Sequence, residues 1–348
     1  MRAYTISFPG EVSCQNVPKP VPAPDEALVR VAYSGLSTQD LAILSGDMTL
    51  VRNGSIRYPV RFGHEWSGIV ESVGKNVTNL APGDRVVSDS GVTCGKCDAC
   101  LRKQWHKCEN TYSLGISNCW DGSFAEYMHM PERHLYKLPA SVSLMEAALV
   151  EPACIALAGV KKADIGPGKT VLVMGTGAIG LAAVALAKYY GADKVLLGGR
   201  TEEKLAVGRT MGADGCVNTR KTNVVGLVQK ETAGKGVDAV IETSGNVAVI
   251  PDILAAAAPG AQISLIGFYE KGVPDFPIDD IVTKSLWVGG VMGEFGTPAE
   301  VLEILKTGKL DLKPLITHVI PFGRTADVMT NISQYRDRIK IMVKIAGG

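Results

Sequence analysis

Residues 170–180 read TVLVMGTGAIG, an apolar run closed by three glycines. Gly175, Gly177 and Gly180 follow the run directly, and the helix-forming stretch GLAAVALAKYYGA begins at the last of them. The order is strand, glycine turn, helix. In such a turn the first glycine permits the tight bend, the second lets backbone approach a pyrophosphate, and the third lets helix pack close on strand. The helix start also offers free N–H groups and the positive end of its dipole to an anion. Gly175, Thr176, Gly177, Ala178, Ile179 and Gly180 are therefore the candidate phosphate cradle of a dinucleotide.

The same rhythm continues on the C-terminal side. KVLLGG, EEKLAVGRTMGA, GCVNT, VVGLVQKETAG, VDAVIETSG, VIPDILAAAAPG and AQISLIGF alternate strand and helix character up to Phe268. This predicts a doubly wound parallel sheet and an α/β fold. On the N-terminal side the texture differs. ALVRVAYSG, SGIVESVG and GDRVVSD are short β-like runs broken by proline and glycine, as in a partly closed β-rich domain. SLMEAALVEPACIALAGVKKA has helical spacing, and RIKIMVKIAGG near the end reads as a strand.

The strand after the glycine turn bears on the choice of nucleotide. An NAD site usually ends it with an acid that holds the ribose 2′-hydroxyl. Here KVLLGGR ends in Gly199 and Arg200, with Lys204 one helical turn on. No carboxylate stands there to repel a 2′-phosphate, and a guanidinium is ready to pair with one, so NADP is expected in preference to NAD. The competing reading leaves Arg200 and Lys204 in solvent and gives the ribose to Glu202 or Glu203. Thr243, Gly267 and Phe268, in the ends of later segments, complete the candidate cofactor contacts.

The 348 residues suggest two domains, and 46% hydrophobic with 20% charged residues fits a globular chain. A net charge of +1 without a long basic run argues against nucleic acid and anionic membranes as partners. No apolar run reaches the roughly 20 residues of a membrane span. The opening MRAYTISFPGEV lacks a signal-peptide core, so a soluble, cytoplasmic protein is expected.

In a reducing compartment clustered cysteines suggest metal before disulfide. TCGKCDACLRKQWHKC supplies Cys94, Cys97, Cys100 and Cys108 with gaps of two, two and seven residues. Four thiolates suit tetrahedral zinc in a structural role, although an iron–sulfur cluster also takes four. Cys14, Cys119, Cys154 and Cys216 are scattered and read as small buried residues.

Taken together, GHEWSGIVESVG, PGDRV, the spacing of Cys94 to Cys108, DGSFAEY, VEP at 150–152 and GTGAIG make the chain resemble the zinc-dependent medium-chain dehydrogenase/reductase family. The sorbitol (L-iditol) and threonine dehydrogenase branch is closest in pattern. The resemblance implies a β-rich GroES-like catalytic domain over 1–150 with a structural zinc lobe at 90–110. It implies a Rossmann nucleotide domain over 151–287 and a return to the catalytic domain over 288–348, with the active site in the cleft between domains. It also implies a homodimer or homotetramer, and a second, catalytic metal held by His64, Glu65 and Glu151. The metal would act as a Lewis acid that lowers an alcohol's pKa, and the nicotinamide would take the hydride. Leu41, Ile43, Cys119, Trp120, Phe268 and Glu294 are implied around the cleft.

One stretch departs from the pattern. Where the family reads Gly-Ile-Cys-Gly-Thr/Ser-Asp, this chain reads Gly35, Leu36, Ser37, Thr38, Gln39, Asp40. Serine replaces the first metal ligand, Gln39 the usual relay hydroxyl, and Ala42 a frequent histidine. A hydroxyl is a far poorer zinc ligand than a thiol, so weaker binding, or completion by water, is expected. An all-nitrogen-and-oxygen site leans less strongly to zinc and admits other divalent ions. Ser37, Thr38 or Glu65 remain to carry a proton through water, and Gln39 to hydrogen-bond a polyol. An engineered exchange would explain Ser37 alone; the changes at Gln39 and Ala42 favour natural divergence. The polar set points to a polyol, cyclitol or sugar substrate, oxidised at a secondary hydroxyl or formed by reduction. The rival readings are a metal-free reductase that keeps only the structural zinc, and a non-enzymatic nucleotide sensor.

Overall fold

The computed structural model describes residues 1–117, 119–270, 272, 276–292 and 297–346. The chain divides into two compact units. One contains Met1–Glu151, Glu294–Lys306 and Ile316–Gly348, and the other Pro152–Gly293 and Thr307–Leu315.

The first unit is built on a seven-stranded sheet among the described residues. Its order runs Ile316–Pro321, Lys340–Lys344, Glu26–Leu36, Glu65–Val73, Arg85–Ser88 and Leu135–Lys137, and Tyr127–Pro131 also pairs with Glu26–Leu36. The long Glu26–Leu36 strand is mostly apolar, with β-branched Val29 and Val31 at its centre, and is buried over most of its length. It pairs antiparallel with three others, so it organises the sheet. One side packs on Val70, Met128 and Trp66. A second cluster gathers Ile6, Val60, Phe62, Phe124, Ile43 and Val343, with Phe62 stacked on Phe124 at 4.5 Å between ring centroids.

Three devices place side chains at one end of this sheet. Ser37 caps the helix Thr38–Ser45, and Gly46 ends it in the left-handed conformation. The register sets Gly35 opposite Glu65 and Ile341 opposite Leu36. Gly63, at φ +100°, turns the chain just before His64, where a Cβ would overlap Phe124.

In the second unit, among the described residues, a six-stranded parallel sheet runs Gly215–Asn218, Lys194–Gly199, Thr170–Met174, Val237–Glu242, Ala257–Leu265, Trp287–Gly290. The strand order reverses direction between Thr170–Met174 and Val237–Glu242, which is where ligands enter such sheets. The doubly wound reading is thus realised. VIPDILAAAAPG is helical only over Ile250–Ala256; its last four residues start the strand Ala257–Leu265, where Pro259 and Gly260 at φ +78° are incompatible with helix. The predicted helical run around residue 150 forms two helices, Leu144–Ala147 and Val150–Lys162. Trp287–Gly290 is an edge strand with all four residues exposed. Among the described residues no helix is long and apolar enough to cross a membrane.

The three glycines of the turn have separate reasons. Gly175 has φ +111° and Gly180 abuts the carbonyl of Gly175, whereas a Cβ on Gly177 meets nothing within 4 Å. Gly180→Ala should therefore cost about 1–3 kcal/mol of stability by overpacking. Gly177→Ala should cost clearly less while still weakening nucleotide binding. Urea unfolding and nucleotide titration of the two variants check this; equal stability losses would contradict it.

Candidate active site

The Ser37 hydroxyl and Ser37 N–H both donate to Asp40 Oδ2 at 2.8 Å, and Ser37 Oγ accepts the Asp40 N–H at 3.0 Å. This reciprocal capping box uses the hydroxyl proton within the cap. It also fixes a carboxylate with no exposed surface. Burial pushes the Asp40 carboxyl up to about 6, against the pull of the Ser37 hydrogen bonds.

Asp40 Oδ1 has no hydrogen-bond partner and faces His64 Nδ1, equally unpartnered, at 3.9 Å. Burial lowers His64 to about 4, so the ring is neutral at physiological pH. Neutral imidazole is the metal-binding form, and a carboxylate behind a ring orients it.

Glu65, the next residue, is held from a distant part of the chain. Lys340 Nζ donates to its two oxygens at 2.6 and 2.5 Å, and both side chains are about 5% exposed. Gly35 makes room: a Cβ there would lie 2.5 Å from Glu65 Oε2 and 3.3 Å from Lys340 Cδ. Glu151 enters from the first turn of the helix Val150–Lys162. Glu151 keeps some exposed surface as a residue, but its carboxyl lies among protein atoms. Burial first, and then the charge of Glu65, raise that carboxyl to about 8.

His64, Glu65 and Glu151 each offer a ligand atom within 4.8 Å of the others. One neutral imidazole and two carboxylates, with a surplus of acid over base, suit a divalent cation. The residues fit such an ion, with Lys340 as a resident competitor for Glu65. Ser37 is linked to this group through Asp40. Thr38 is exposed and Gln39 half-buried at the start of the same helix. Lys340 and Asp40 were not among the sequence candidates. A serine three residues before an aspartate is a capping-box pattern that could have marked Ser37 and Asp40, but it was not read as one; nothing near Lys340 signalled its partner.

Cys94, Cys97, Cys100 and Cys108 form the second cluster. Their sulfurs lie 3.5 Å (Cys97–Cys100), 3.6 Å (Cys94–Cys108) and 3.9 Å (Cys94–Cys100) apart. A tetrahedron of zinc–sulfur bonds of about 2.3 Å has edges of about 3.8 Å, so the cage fits zinc. All four cysteines are free of disulfides. Backbone N–H groups of Lys96 and Cys97 lower the Cys94 thiol to about 6, which favours thiolate. The Thr93 peptide before the cage is gripped on both sides: its N–H donates to His134 Nε2 at 3.1 Å and its carbonyl accepts from Arg133.

In the second unit Gly177 caps the helix Ala178–Tyr189 without a side chain, leaving the N–H groups of Ala178, Ile179 and Gly180 at its open first turn. Thr176 is buried beside them, and Thr243 Oγ1 donates to the Met174 carbonyl at 2.9 Å. This arrangement can hold a pyrophosphate. Gly199 is buried, and a Cβ there would overlap Thr176. Arg200 is exposed and Lys204 half-buried. Glu202 is tied to Asn218 and Lys221, each at 2.9 Å, while Thr201 Oγ1 is buried without a partner. Gly267 follows the strand Ala257–Leu265, and Phe268 is 50% exposed.

The implied substrate contacts fare unevenly. Ile43 is wholly enclosed in the core, so its side chain lines no open surface. Leu41 and Cys119 pack against that core, and Trp120 packs against Val29's cluster with its N–H donated to the His129 carbonyl at 3.0 Å. Glu294 lies outside the described residues.

A β-rich unit with two clusters of metal-ligating residues, joined in one chain to a doubly wound unit with a glycine turn, defines a nucleotide-dependent oxidoreductase. Comparison with known proteins agrees. Residues 23–140 match the alcohol dehydrogenase GroES-like domain and residues 178–307 the zinc-binding dehydrogenase domain. L-threonine 3-dehydrogenase of Bacillus velezensis is 34% identical over 320 residues, covering 90% of this chain and 91% of that one. Sorbitol dehydrogenase of Bacillus subtilis is 29% identical over 344 residues, covering 99% and 97%. A crystal structure of a zinc-binding dehydrogenase from Sinorhizobium meliloti bound to NADP has a TM-score of 0.89 at 29% identity, covering 99% of each chain. The chain belongs to the zinc-type medium-chain alcohol dehydrogenase family and is an NAD(P)-dependent oxidoreductase.

Two predictions follow from the buried charges. Glu151 has a folded pKa above its ordinary 4.5, so the stability due to its protonated form is lost as pH rises through about 8. A metal takes the deprotonated form. Affinity for a divalent ion at this centre should thus climb by up to about tenfold per unit below pH 8 and flatten above it. Chelator competition between pH 6 and 9 measures this, and a level profile would count against it. Lys340→Met should destabilise the metal-free protein by about 3–5 kcal/mol, because Glu65 is left buried and unpaired. Added zinc should restore part of the loss in thermal unfolding.

Proposed function

We propose that this protein is a metal-dependent, NADP-preferring dehydrogenase of a polyol, cyclitol or sugar. It oxidises a secondary hydroxyl or runs the reverse reduction. The observation that carries the reading is the convergence of His64, Glu65 and Glu151 within 4.8 Å around a surplus of buried acid. A divalent ion held there supplies Lewis acidity toward the substrate oxygen, and the nicotinamide supplies the hydride chemistry.

The chain's own residues prepare that chemistry. Asp40 stands behind the His64 ring at 3.9 Å, and burial keeps the ring neutral. Lys340 balances one carboxylate, so the centre holds its shape at modest metal affinity. Glu151 retains a proton near neutrality, which metal binding would release. Gln39 and Thr38, on the first turn of the capped helix, offer hydrogen bonds to a polyhydroxylated substrate. Ser37 serves as the cap that holds Asp40 in place of a direct ligand. The four cysteines hold a structural zinc.

NADP preference is supported by three features. Thr176 leaves no room for any side chain at position 199, where an NAD site carries its acid. Glu202 is engaged by Asn218 and Lys221. Arg200 is exposed and available to a 2′-phosphate. The NADP-bound relative is in keeping with this. The polyol class agrees with the sorbitol dehydrogenase likeness, whereas the threonine dehydrogenases keep a 3-hydroxy amino acid in view. Cytoplasmic residence and a homodimer or homotetramer complete the proposal; the exposed edge Trp287–Gly290 supports self-association.

One observation favours the metal-free alternative: Lys340 already neutralises Glu65. Metal content by mass spectrometry separates the two. About two equivalents of zinc or another divalent ion per chain are expected, and a single equivalent defeats the metal-dependent reading. A spectrophotometric NADP(H) screen over polyols, cyclitols, sugars and 3-hydroxy amino acids then identifies the substrate. Arg200→Asp should shift preference from NADPH toward NADH by at least about tenfold, since it replaces a charge pair by a repulsion. An unchanged ratio refutes the cofactor assignment.

A further inference from the structure

Glu242 ends the strand Val237–Glu242, beside the point where the strand order reverses. Its side chain has no exposed surface. The carboxylate accepts four neutral donors. Ser244 N–H reaches Oε1 at 2.7 Å, and the Ser244 hydroxyl binds the same oxygen. Tyr269 O–H reaches Oε2 at 2.7 Å, and Gly245 N–H approaches it at 3.3 Å. Its backbone carbonyl accepts the N–H groups of Ile266 and Gly267 at 2.8 and 3.2 Å. Among the described residues no basic side chain forms an ion pair with it. A buried carboxylate held only by dipoles is costly unless each lone pair is used, so its place is constrained.

Those donors come from two loops, 243–246 and 266–269. The loops touch at their glycines: a Cβ on Gly267 would overlap Gly245, and one on Gly245 would overlap Phe268. Loop 243–246 in turn packs on the glycine turn, since a Cβ on Gly180 would lie 2.7 Å from Thr243 Oγ1. Glu242 is thus the knot of three strand ends.

Strand order says which part of a dinucleotide this serves. The Arg200 end lies on one side of Thr170–Met174, and Val237–Glu242 on the other. A dinucleotide whose pyrophosphate sits at the turn 175–180, with its adenosine ribose toward Arg200, extends its other half toward the loops that Glu242 ties. The carboxylate itself is enclosed and fully hydrogen-bonded, so it acts through those loops.

We propose that Glu242, with Tyr269, is a positioning residue for the nicotinamide half of the cofactor. It locks loops 243–246 and 266–269 into one surface. The proposal rests on the nucleotide reading of the glycine turn. Tyr269 is kept protonated by burial and by its bond to Glu242, which suits a permanent donor.

The test compares a whole dinucleotide with its adenosine half. Dissociation constants for NADPH and for 2′,5′-ADP are measured by calorimetry on wild-type, Glu242→Gln and Tyr269→Phe proteins. Glu242→Gln puts an amide donor where donors now point. It should weaken NADPH about tenfold and leave 2′,5′-ADP within about twofold. Tyr269→Phe removes one of the four donors and should weaken NADPH about threefold, again sparing the fragment. Equal losses for both ligands would mean a merely structural role and overturn the proposal, as would unchanged NADPH binding. If Glu242→Gln does not fold, Tyr269→Phe decides by the same comparison. If wild-type protein prefers NADH, the pair becomes NADH and 5′-ADP. Wild-type protein binding neither NADPH nor NADH would defeat the nucleotide reading itself, a separate failure.

Discussion

A buried ammonium bound to a buried carboxylate governs this molecule's reactive end. Lys340 and Glu65 are 275 residues apart and meet on neighbouring parts of one sheet. Such a pair adds little net stability, because both charges lose water, but leaving either one alone is severe. The pair therefore acts as a specification. It requires the strand Lys340–Lys344 to lie beside Glu26–Leu36, and it requires the residue between them, Gly35, to have no side chain. The return of the late segment 316–346 to the first unit is secured at its most sensitive point by one electrostatic contact.

The same contact sets the charge of the reaction centre. Asp40, Glu65 and Glu151 crowd together, and among the described residues Lys340 is the basic side chain paired with them. Protons make up the difference, which is why burial raises the Asp40 and Glu151 carboxyls. A bound divalent ion would replace those protons. Loss of a thiolate at Ser37 is consistent with this balance: one fewer negative charge stands in a site that already has its own ammonium. The serine then has a different task, closing the cap that presents Asp40 to His64.

What the sequence disclosed depended on how far apart the interacting residues lie. The glycine turn at 175–180, the cysteine spacing from Cys94 to Cys108 and the strand–helix alternation are local patterns, and each was legible. His64, Glu65 and Glu151 were named only through family resemblance, since nothing in their spacing brings 65 to 151. Lys340 was invisible because a lysine in RIKIMVKI looks like a strand's solvent-facing residue; only the pairing of its strand with Glu26–Leu36, Ile341 opposite Leu36, brings it to Glu65. Glu242 was hidden in a buried strand, VDAVIE, where its partners Gly245 and Tyr269 belong to loops. The split of VIPDILAAAAPG into helix and strand was misjudged because alanine is compatible with both, and Pro259 decided it.

The thiol cage has a further side. Arg133 and His134 grip the Thr93 peptide from outside the cage, so the fold itself helps to hold four sulfurs within 4.8 Å of one another, three of the pairs at 3.5–3.9 Å. A disulfide needs sulfurs at about 2.05 Å, a small movement from there. Stripping the ion in air would thus leave thiolates poised to cross-link, Cys97 with Cys100 foremost. A reductant would then be needed before the loop at 94–108 could hold metal again, so this lobe couples metal content to redox state.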